Sequence, residues 1–358
     1  MIHIFARSIF APVLLAGWVA LMTATGAQAQ SADPFENGWT LDADNSELRF
    51  MSIKKGNKAE TNTFATLSGL ITEGGKVQIR VLLDSVDTNV DLRNVRMRFL
   101  FFETFLHPEA TITAQLDPAL LTDLHTSRRK MVDMTYTLTL HGVSVEKTAE
   151  VAVTLMSNDR VTVSATTPIA ILLSDFDLET GHGKLQEAAS VVIVPLGIVS
   201  FDFVFDRSSP GTSPVMTEVM VTVTPGSAAL ETKGNLGREE CVGRFEILSQ
   251  AGNIYFNSGS AVLANKSKPL LDNLYDVVNR CPDLAIEIGG HTDSDGQSAS
   301  NKRLSERRAK SVSAYLVVKG IPAARMNIVG YGEDQPLVPN SNRANKAKNR
   351  RIEFSVLN

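Results

Sequence analysis

The hydrophobic period of this chain changes once, across a Ser/Pro/Gly-rich break, and that change limits what each side can fold into. Before the break the period is two. Val132, Met134, Tyr136, Leu138 and Leu140 alternate with Asp133, Thr135, Thr137 and Thr139. His141-Gly142 marks a turn, and Ala149, Val151, Val153 and Leu155 then alternate with Glu150, Ala152 and Thr154. Successive strand side chains point to opposite faces, so this run predicts a long hairpin with one dry and one wet face. Val77 to Leu83, Val161 with Val163, and Val199, Phe201, Phe203 and Phe205 repeat the pattern. About eight such strands over residues 38–207 predict an antiparallel barrel or sandwich. Asp91 to Phe105, rich in Arg and Phe, breaks the period and reads as a short helix or structured loop across one end.

The break is Ser208-Ser209-Pro210-Gly211-Thr212-Ser213-Pro214, which has linker composition. Val219, Val221 and Val223 are spaced as a short extra strand, and residues 208–240 are read as a linker joining independently mobile domains. Residues 241–358 form the second domain. Ile254-Tyr255-Phe256 reads as a strand. Ser267 and Pro269 open a helix whose buried face is Leu270, Leu274 and Val278, and Pro282 ends it. Leu284, Ile286 and Ile288 have strand spacing, and Gly289-Gly290 leave room for a backbone or ligand to come close. Ser294-Asp295-Gly296 is turn chemistry. From Ser298 the period is helical, with Asn301, Ser305, Arg308 and Val312 on one face and Gly320 as the stop. Strands at Met326–Tyr331 and Arg351–Val356 complete a βαβαββ α/β sandwich with helices on one sheet face. Asp293 thus lies near the start of a helix carrying Arg308. Such a pair can clamp a zwitterion, the carboxylate taking an ammonium and the guanidinium a carboxylate. It can equally be a structural ion pair, with Asp293 as a helix-proximal cap.

The formal net charge of −4 hides an asymmetry. Residues 30–207 carry 16 Lys+Arg against 24 Asp+Glu, whereas residues 241–358 carry 16 against 11. A basic domain suits an anionic polymer, either a cell-wall glycan with its peptide carboxylates or a nucleic acid. The N-terminus decides between them. Arg7, the apolar stretch Ile9 to Met22 and Ala27-Gln28-Ala29 before Gln30 read as a secretory signal peptide over residues 1–29. Export to the periplasm removes nucleic acid as a partner. An oxidising compartment also favours a disulfide between Cys241 and Cys281, both in the second domain.

Gly290-His291-Thr292-Asp293, Asn301, Leu304-Ser305 and Arg308-Ala309 resemble the signature of the OmpA-like peptidoglycan-binding domain. The resemblance runs from about Ile254 to the C-terminus and includes Gly330-Tyr331-Gly332-Glu333 and Asn349-Arg350-Arg351-Ile352-Glu353. It implies that Asp293 and Arg308 hold the free amino-acid end of diaminopimelate in the peptidoglycan stem peptide. It also implies that Thr292, Asn301 and Arg350 belong to the same site. Residues 38–206 resemble the YceI-like family of periplasmic lipocalin-like barrels that hold a polyisoprenoid chain. The matching residues are Trp39-Thr40-Leu41-Asp42, Ser85-Val86-Asp87-Thr88, Arg93, Arg98, Phe101-Phe102-Glu103 and Leu138 to Val143. The chain departs from that family at Asn94-Val95-Arg96 and by one deleted residue before Phe101, in a segment that borders the family's cavity. Phe50, Phe64, Phe101, Phe102 and Phe201 are the candidate cavity residues, and each is also an ordinary core candidate.

These readings predict a non-enzymatic protein of the periplasm and cell envelope, gripping peptidoglycan and holding a polyisoprenoid or other apolar ligand. Peripheral association with the outer membrane fits the same reading. The alternative is an outer-membrane protein with a membrane-spanning N-terminal barrel. Membrane barrels carry aromatic girdles, and residues 40–207 contain one Tyr, Tyr136, and no Trp. A cell-wall enzyme would need a nucleophile–base pair or a metal motif. His107, His141 and His182 have no metal-ligand spacing, and no cofactor or metal is expected.

Overall fold

The computed structural model describes residues 33–216, 234–251, 254–257 and 259–357. The expected signal peptide and the Val219–Val223 strand lie outside the described residues.

The period-two half forms twelve strands. They are β1 (Trp39–Leu41), β2 (Glu47–Lys54), β3 (Lys58–Phe64), β4 (Leu67–Ile71), β5 (Lys76–Leu82), β6 (Val86–Asp87), β7 (Glu109–Gln115), β8 (Arg129–Leu140), β9 (Val143–Ser157), β10 (Arg160–Ala165), β11 (Ile169–Leu172) and β12 (Leu196–Arg207). Eight close a ring, β1-β4-β5-β7-β8-β9-β10-β12, with β12 returning to β1 through Trp39 opposite Arg207. β12 is long enough to serve two further neighbours. Its first half pairs with β11 on one side and β2 on the other, and β2 carries β3 and β6. The expected barrel is therefore present.

The β8–β9 hairpin runs in unbroken register from Arg129 opposite Thr154 to Leu140 opposite Val143, turning at His141-Gly142. Val132, Tyr136, Leu138, Leu140, Val151 and Val153 are buried. Asp133, Thr135, Ser144, Glu146, Thr148 and Glu150 are exposed. An outward face of carboxylates and hydroxyls is not one a strand can turn to lipid.

The segment that broke the period is a short helix, α1 (Asp91–Arg96), continued by a π-helical turn over Met97–Phe101. It is tied to the barrel by a buried pair. Arg98 Nε donates to Asp84 Oδ1 at 2.6 Å, Nη2 to Oδ2 at 3.2 Å, and the Thr104 hydroxyl adds a bond to Oδ1 at 2.9 Å. With every polar partner satisfied, removing either member would strand a buried charge. Two more helices complete this half, α2 (Leu124–Ser127) and α3 (Glu179–Ala189).

The C-terminal half comprises α4 (Arg238–Ala251), α5 (Lys268–Arg280), β13 (Ile286–His291), α6 (Ser298–Val318), β14 (Met326–Gly332), α7 (Arg343–Asn349) and β15 (Ile352–Val356). Its sheet has the order β14-β13-β15, parallel on one side of β13 and antiparallel on the other. Ile254–Phe256 differs from the expected strand and makes one isolated bridge, Phe256 with Leu263. Ser267 precedes α5 as expected, but its hydroxyl accepts from the Tyr255 amide at 2.7 Å and donates to the Tyr255 carbonyl at 3.0 Å instead of capping the helix. Cys241 on α4 and Cys281 after α5 are joined by a disulfide.

α4 was not foreseen, because its start falls in a stretch read as linker. It buries Phe245, Ile247 and Leu248 and also packs on α1 and the π-helical turn, where Gly243 leaves room for Leu92. Lys184 on α3 donates to the Ala251 carbonyl at 3.0 Å. The expected independence of the two halves is thus modified by one helix, whose apolar residues sit at positions that a linker reading passed over.

Candidate functional site

The first site is the loop between β13 and α6. Its shape follows from two glycines. A Cβ on Gly290 would lie 2.2 Å from the Ser305 carbonyl oxygen, and one on Gly330 would lie 2.6 Å from the Glu306 amide nitrogen. α6 therefore rests directly on strand backbone, and the close approach anticipated at Gly290 is to a helix. The Ser305 hydroxyl donates to Lys302 O at 2.9 Å and accepts from the Gly332 amide at 2.9 Å, stitching α6 to β14.

Asp293 is buried just beyond β13. Its Oδ1 accepts from the Asp295 amide at 3.1 Å, and its Oδ2 accepts from Arg350 Nη1 at 2.5 Å. Asn301, one turn into α6, donates from Nδ2 to the Asp293 carbonyl at 3.3 Å, to the Asp295 carbonyl at 3.0 Å and to Glu333. It acts as a strap across the loop. The Thr292 amide donates to the Gly332 carbonyl at 2.8 Å, while its buried hydroxyl has no partner among the described residues.

Arg308 lies two turns further along α6. Its Nε donates to the Ser260 carbonyl at 3.0 Å and its guanidinium lies 5.0 Å from the centre of the Phe256 ring. No carboxylate pairs with it among the described residues. Burial, and next the neighbouring Arg350, pull its pKa below the ordinary arginine value, while Asp293 opposes them. A guanidinium partly removed from water, fixed by a carbonyl and a ring, keeps its planar fork for an anion.

The structure thus brings together all five residues expected here, Thr292, Asp293, Asn301, Arg308 and Arg350. It pairs Asp293 with Arg350 and not with Arg308, so the bland alternative of an Asp293–Arg308 ion pair is not what forms. Asn349, also noted in sequence, pins the 337–340 loop through bonds to the Leu337 and Val338 amides at 2.9 and 3.0 Å. The roles of Ser260 and Phe256 were missed. Phe256 lay inside a quoted motif, but nothing local connects it to a helix fifty residues on. His291 was quoted without a role. It is buried and stacked on Tyr331 at 5.0 Å, with Nε2 3.5 Å from Glu353, and burial followed by Arg351 pushes its pKa down to about 4.

The second site is the barrel interior, a cavity of about 650 Å³. That is a volume suited to one small-molecule ligand. Phe50, Phe64, Phe101, Phe102 and Phe201 all line it. Phe50 packs on Phe64 at 5.3 Å, Phe64 on Phe102 at 5.9 Å and Phe102 on Phe101 at 4.8 Å, forming one aromatic row. Core and cavity roles coincide, since a wall residue is buried by its neighbours and still faces the space. Sequence reasoning missed Lys54, Lys55, Lys58, Glu60 and Asp117 in the charged part of the lining, and noted Arg93 and Arg96 there only through the YceI-like resemblance. Its signal was present as Lys54-Lys55 and Lys58 around a turn, and as Arg93 and Arg96 at helical spacing.

The His107 and His141 rings lie 4.3 Å apart, tilted by 52°, and His141 Nε2 lies 3.5 Å from Glu103. His182 Nε2 donates to the Ile193 carbonyl at 2.9 Å, at the cavity wall.

A barrel closed round an apolar cavity, followed by an α/β domain with a charged loop, defines a two-domain binding protein. Residues 39–205 match the YceI-like domain model and residues 255–350 match the OmpA family model, one match in each half of the chain. Outer membrane porin F of Pseudomonas fluorescens is 39% identical over 104 residues, covering 29% of this chain and 32% of that protein. Peptidoglycan-binding protein ArfA of Mycobacterium tuberculosis is 36% identical over 105 residues, covering 29% of this chain and 32% of that protein. The chain thus spans about a third of the length of these curated relatives. Among solved structures, a polyisoprenoid binding domain from Saccharophagus degradans is 36% identical, with 47% of this chain and 98% of that chain covered and a TM-score of 0.46.

Proposed function

We propose that this chain is a binding protein of the bacterial periplasm, tethered to peptidoglycan by its C-terminal domain and holding an apolar chain such as a polyisoprenoid in its N-terminal barrel. The observation that carries the tether is Arg308, a half-buried guanidinium without a carboxylate partner among the described residues, in the field of the buried Asp293. Diaminopimelate in a stem peptide ends in an ammonium and a carboxylate on one carbon. The carboxylate meets the Arg308 fork and the ammonium meets Asp293, which shares its charge with Arg350. The unpartnered Thr292 hydroxyl adds a hydrogen-bonding group beside them. Asn301 acts by positioning, because its amide is spent on loop carbonyls.

The barrel reading rests on the cavity and its aromatic row. Its polar outer face supports a water-exposed barrel over a membrane-spanning one.

The test is co-sedimentation with purified sacculi. Asp293→Ala and Arg308→Ala should each weaken sedimentation at least about tenfold, the loss of one charge-assisted bond, while circular dichroism stays unchanged. Wild-type sedimentation by either folded variant sinks the clamp.

A further inference from the structure

We propose that the ligand of the barrel is an amphiphile with an anionic head, held by a collar of five cations at the rim of the cavity. This rests on the reading that the barrel takes an apolar chain, and it adds the chemistry of the other end.

The collar is built by two elements. β2 and β3 are joined by a turn in which Lys55 and Gly56 are both left-handed, with φ of 52° and 78°. In that hairpin Lys54 stands directly opposite Lys58. Like charges opposed across a hairpin destabilise it, so folding alone gives no reason for the pair. α1 contributes Arg93 and Arg96, three residues apart and therefore on one face. All five side chains line the cavity, and Lys55 and Lys58 are exposed, which places the collar where the cavity meets solvent.

The counter-charge is insufficient. Glu60 is shared by Lys54 at 2.7 Å, Lys58 at 3.5 Å and Arg93 at 2.8 Å. The other lining carboxylate, Asp117, lies after β7 and accepts from the Ala119 amide. Two lining carboxylates, of which Glu60 is the one paired with collar cations, against five cations leave three positive charges in excess, in a domain whose overall balance is acidic.

Arg96 supplies the independent observation. It pairs with no carboxylate among the described residues, and its Nε is buried without a hydrogen-bond partner there. Arg98, two residues on, shows what a structural arginine of the same segment looks like, forked onto Asp84. A buried charged donor left unmade is costly. A compact anion such as a phosphate or carboxylate satisfies it, because the guanidinium fork matches that geometry while lysines add point charge. The head then stays at the wet rim, and the chain runs inward along Phe50, Phe64 and Phe102.

The experiment is calorimetric titration of the full chain with two matched pairs, geranylgeranyl phosphate against geranylgeraniol and palmitate against hexadecanol. At low salt the charged member of at least one pair should bind about tenfold tighter than its alcohol. A gain for the phosphate alone identifies a phosphate head, and a gain for both identifies any compact anion. Arg96→Gln, and Lys54→Gln with Lys58→Gln, should erase most of the gain while leaving alcohol affinity unchanged. Equal affinity within both pairs overturns the anionic head and leaves the apolar cavity standing. A gain that survives both variants overturns the collar. No binding by any of the four overturns the barrel reading itself.

Discussion

The two halves of this chain present binding groups in opposite ways. The C-terminal domain concentrates them, with Thr292 and Asp293 on one loop, Asn301 and Arg308 on the helix that follows, and Arg350 reaching in at the end of α7. The barrel distributes them, so that its cavity draws on nearly every strand of the ring and on α1 and α3. A concentrated site is a set of point charges, and losing one removes a named bond. A distributed site is a volume, and it is lost only by filling it or altering its rim. The first therefore responds to truncation and the second to enlargement.

The largest effect expected from this contrast is on stability. The disulfide closes a loop between residues 40 apart, all inside the C-terminal half. Cys281→Ser should lower that domain's stability by about 4 kcal/mol on the chain-entropy model. In calorimetry the barrel transition should stay in place. A common shift of both transitions would show that the α4 contact couples the halves and would break the contrast.

A smaller effect is set by pH. His291 folds with its pKa depressed to about 4, against about 6.5 in the unfolded chain. The unfolded state therefore binds the extra proton between those values. Stability is full above about pH 6.5 and is lost as pH falls towards 4, by roughly 2 kcal/mol between pH 7 and pH 5. Urea unfolding of the C-terminal domain at both pH values measures it. His291→Phe keeps a ring on Tyr331 and should flatten the dependence, and an unchanged slope would remove His291 as its source.

The smallest effect on stability should accompany the largest on lipid uptake. Ala149 lines the cavity from β9. Ala149→Phe fills cavity space without displacing a packed neighbour, so the cost should be about 1 kcal/mol or less. Uptake of a geranylgeranyl chain should fall sharply while sedimentation with sacculi stays at the wild-type level. Retained uptake would mean that the chain does not occupy the barrel interior.

How much was legible in sequence differs between the sites for the same reason. Asp293, Asn301 and Arg308 lie within sixteen residues, and loop and helix geometry at that range is local. Their relation to Ser260, Phe256 and Arg350 was not legible, because those residues arrive through the sheet and through α7. In the barrel, alternation exposed which residues face inward but not that the interior stays open. Phe50, Phe64, Phe101, Phe102 and Phe201 have the same pattern whether they fill a core or line a cavity.

By itself the sequence determined the two domains, their strand and helix periods, the barrel's dry and wet faces and the residue types of the charged loop. These follow from side-chain direction and turn chemistry, which act over a few residues. Tertiary structure alone decided that Asp293 pairs with Arg350, that α4 bridges to α1, that the ring closes round a cavity, and that Glu60 meets Lys54, Lys58 and Arg93 in its lining. Each depends on groups from 33 to 168 residues apart, Glu60 with Arg93 at one end and Trp39 with Arg207 at the other, being brought together, and only the closing of the sheet and the packing of the helices set those distances.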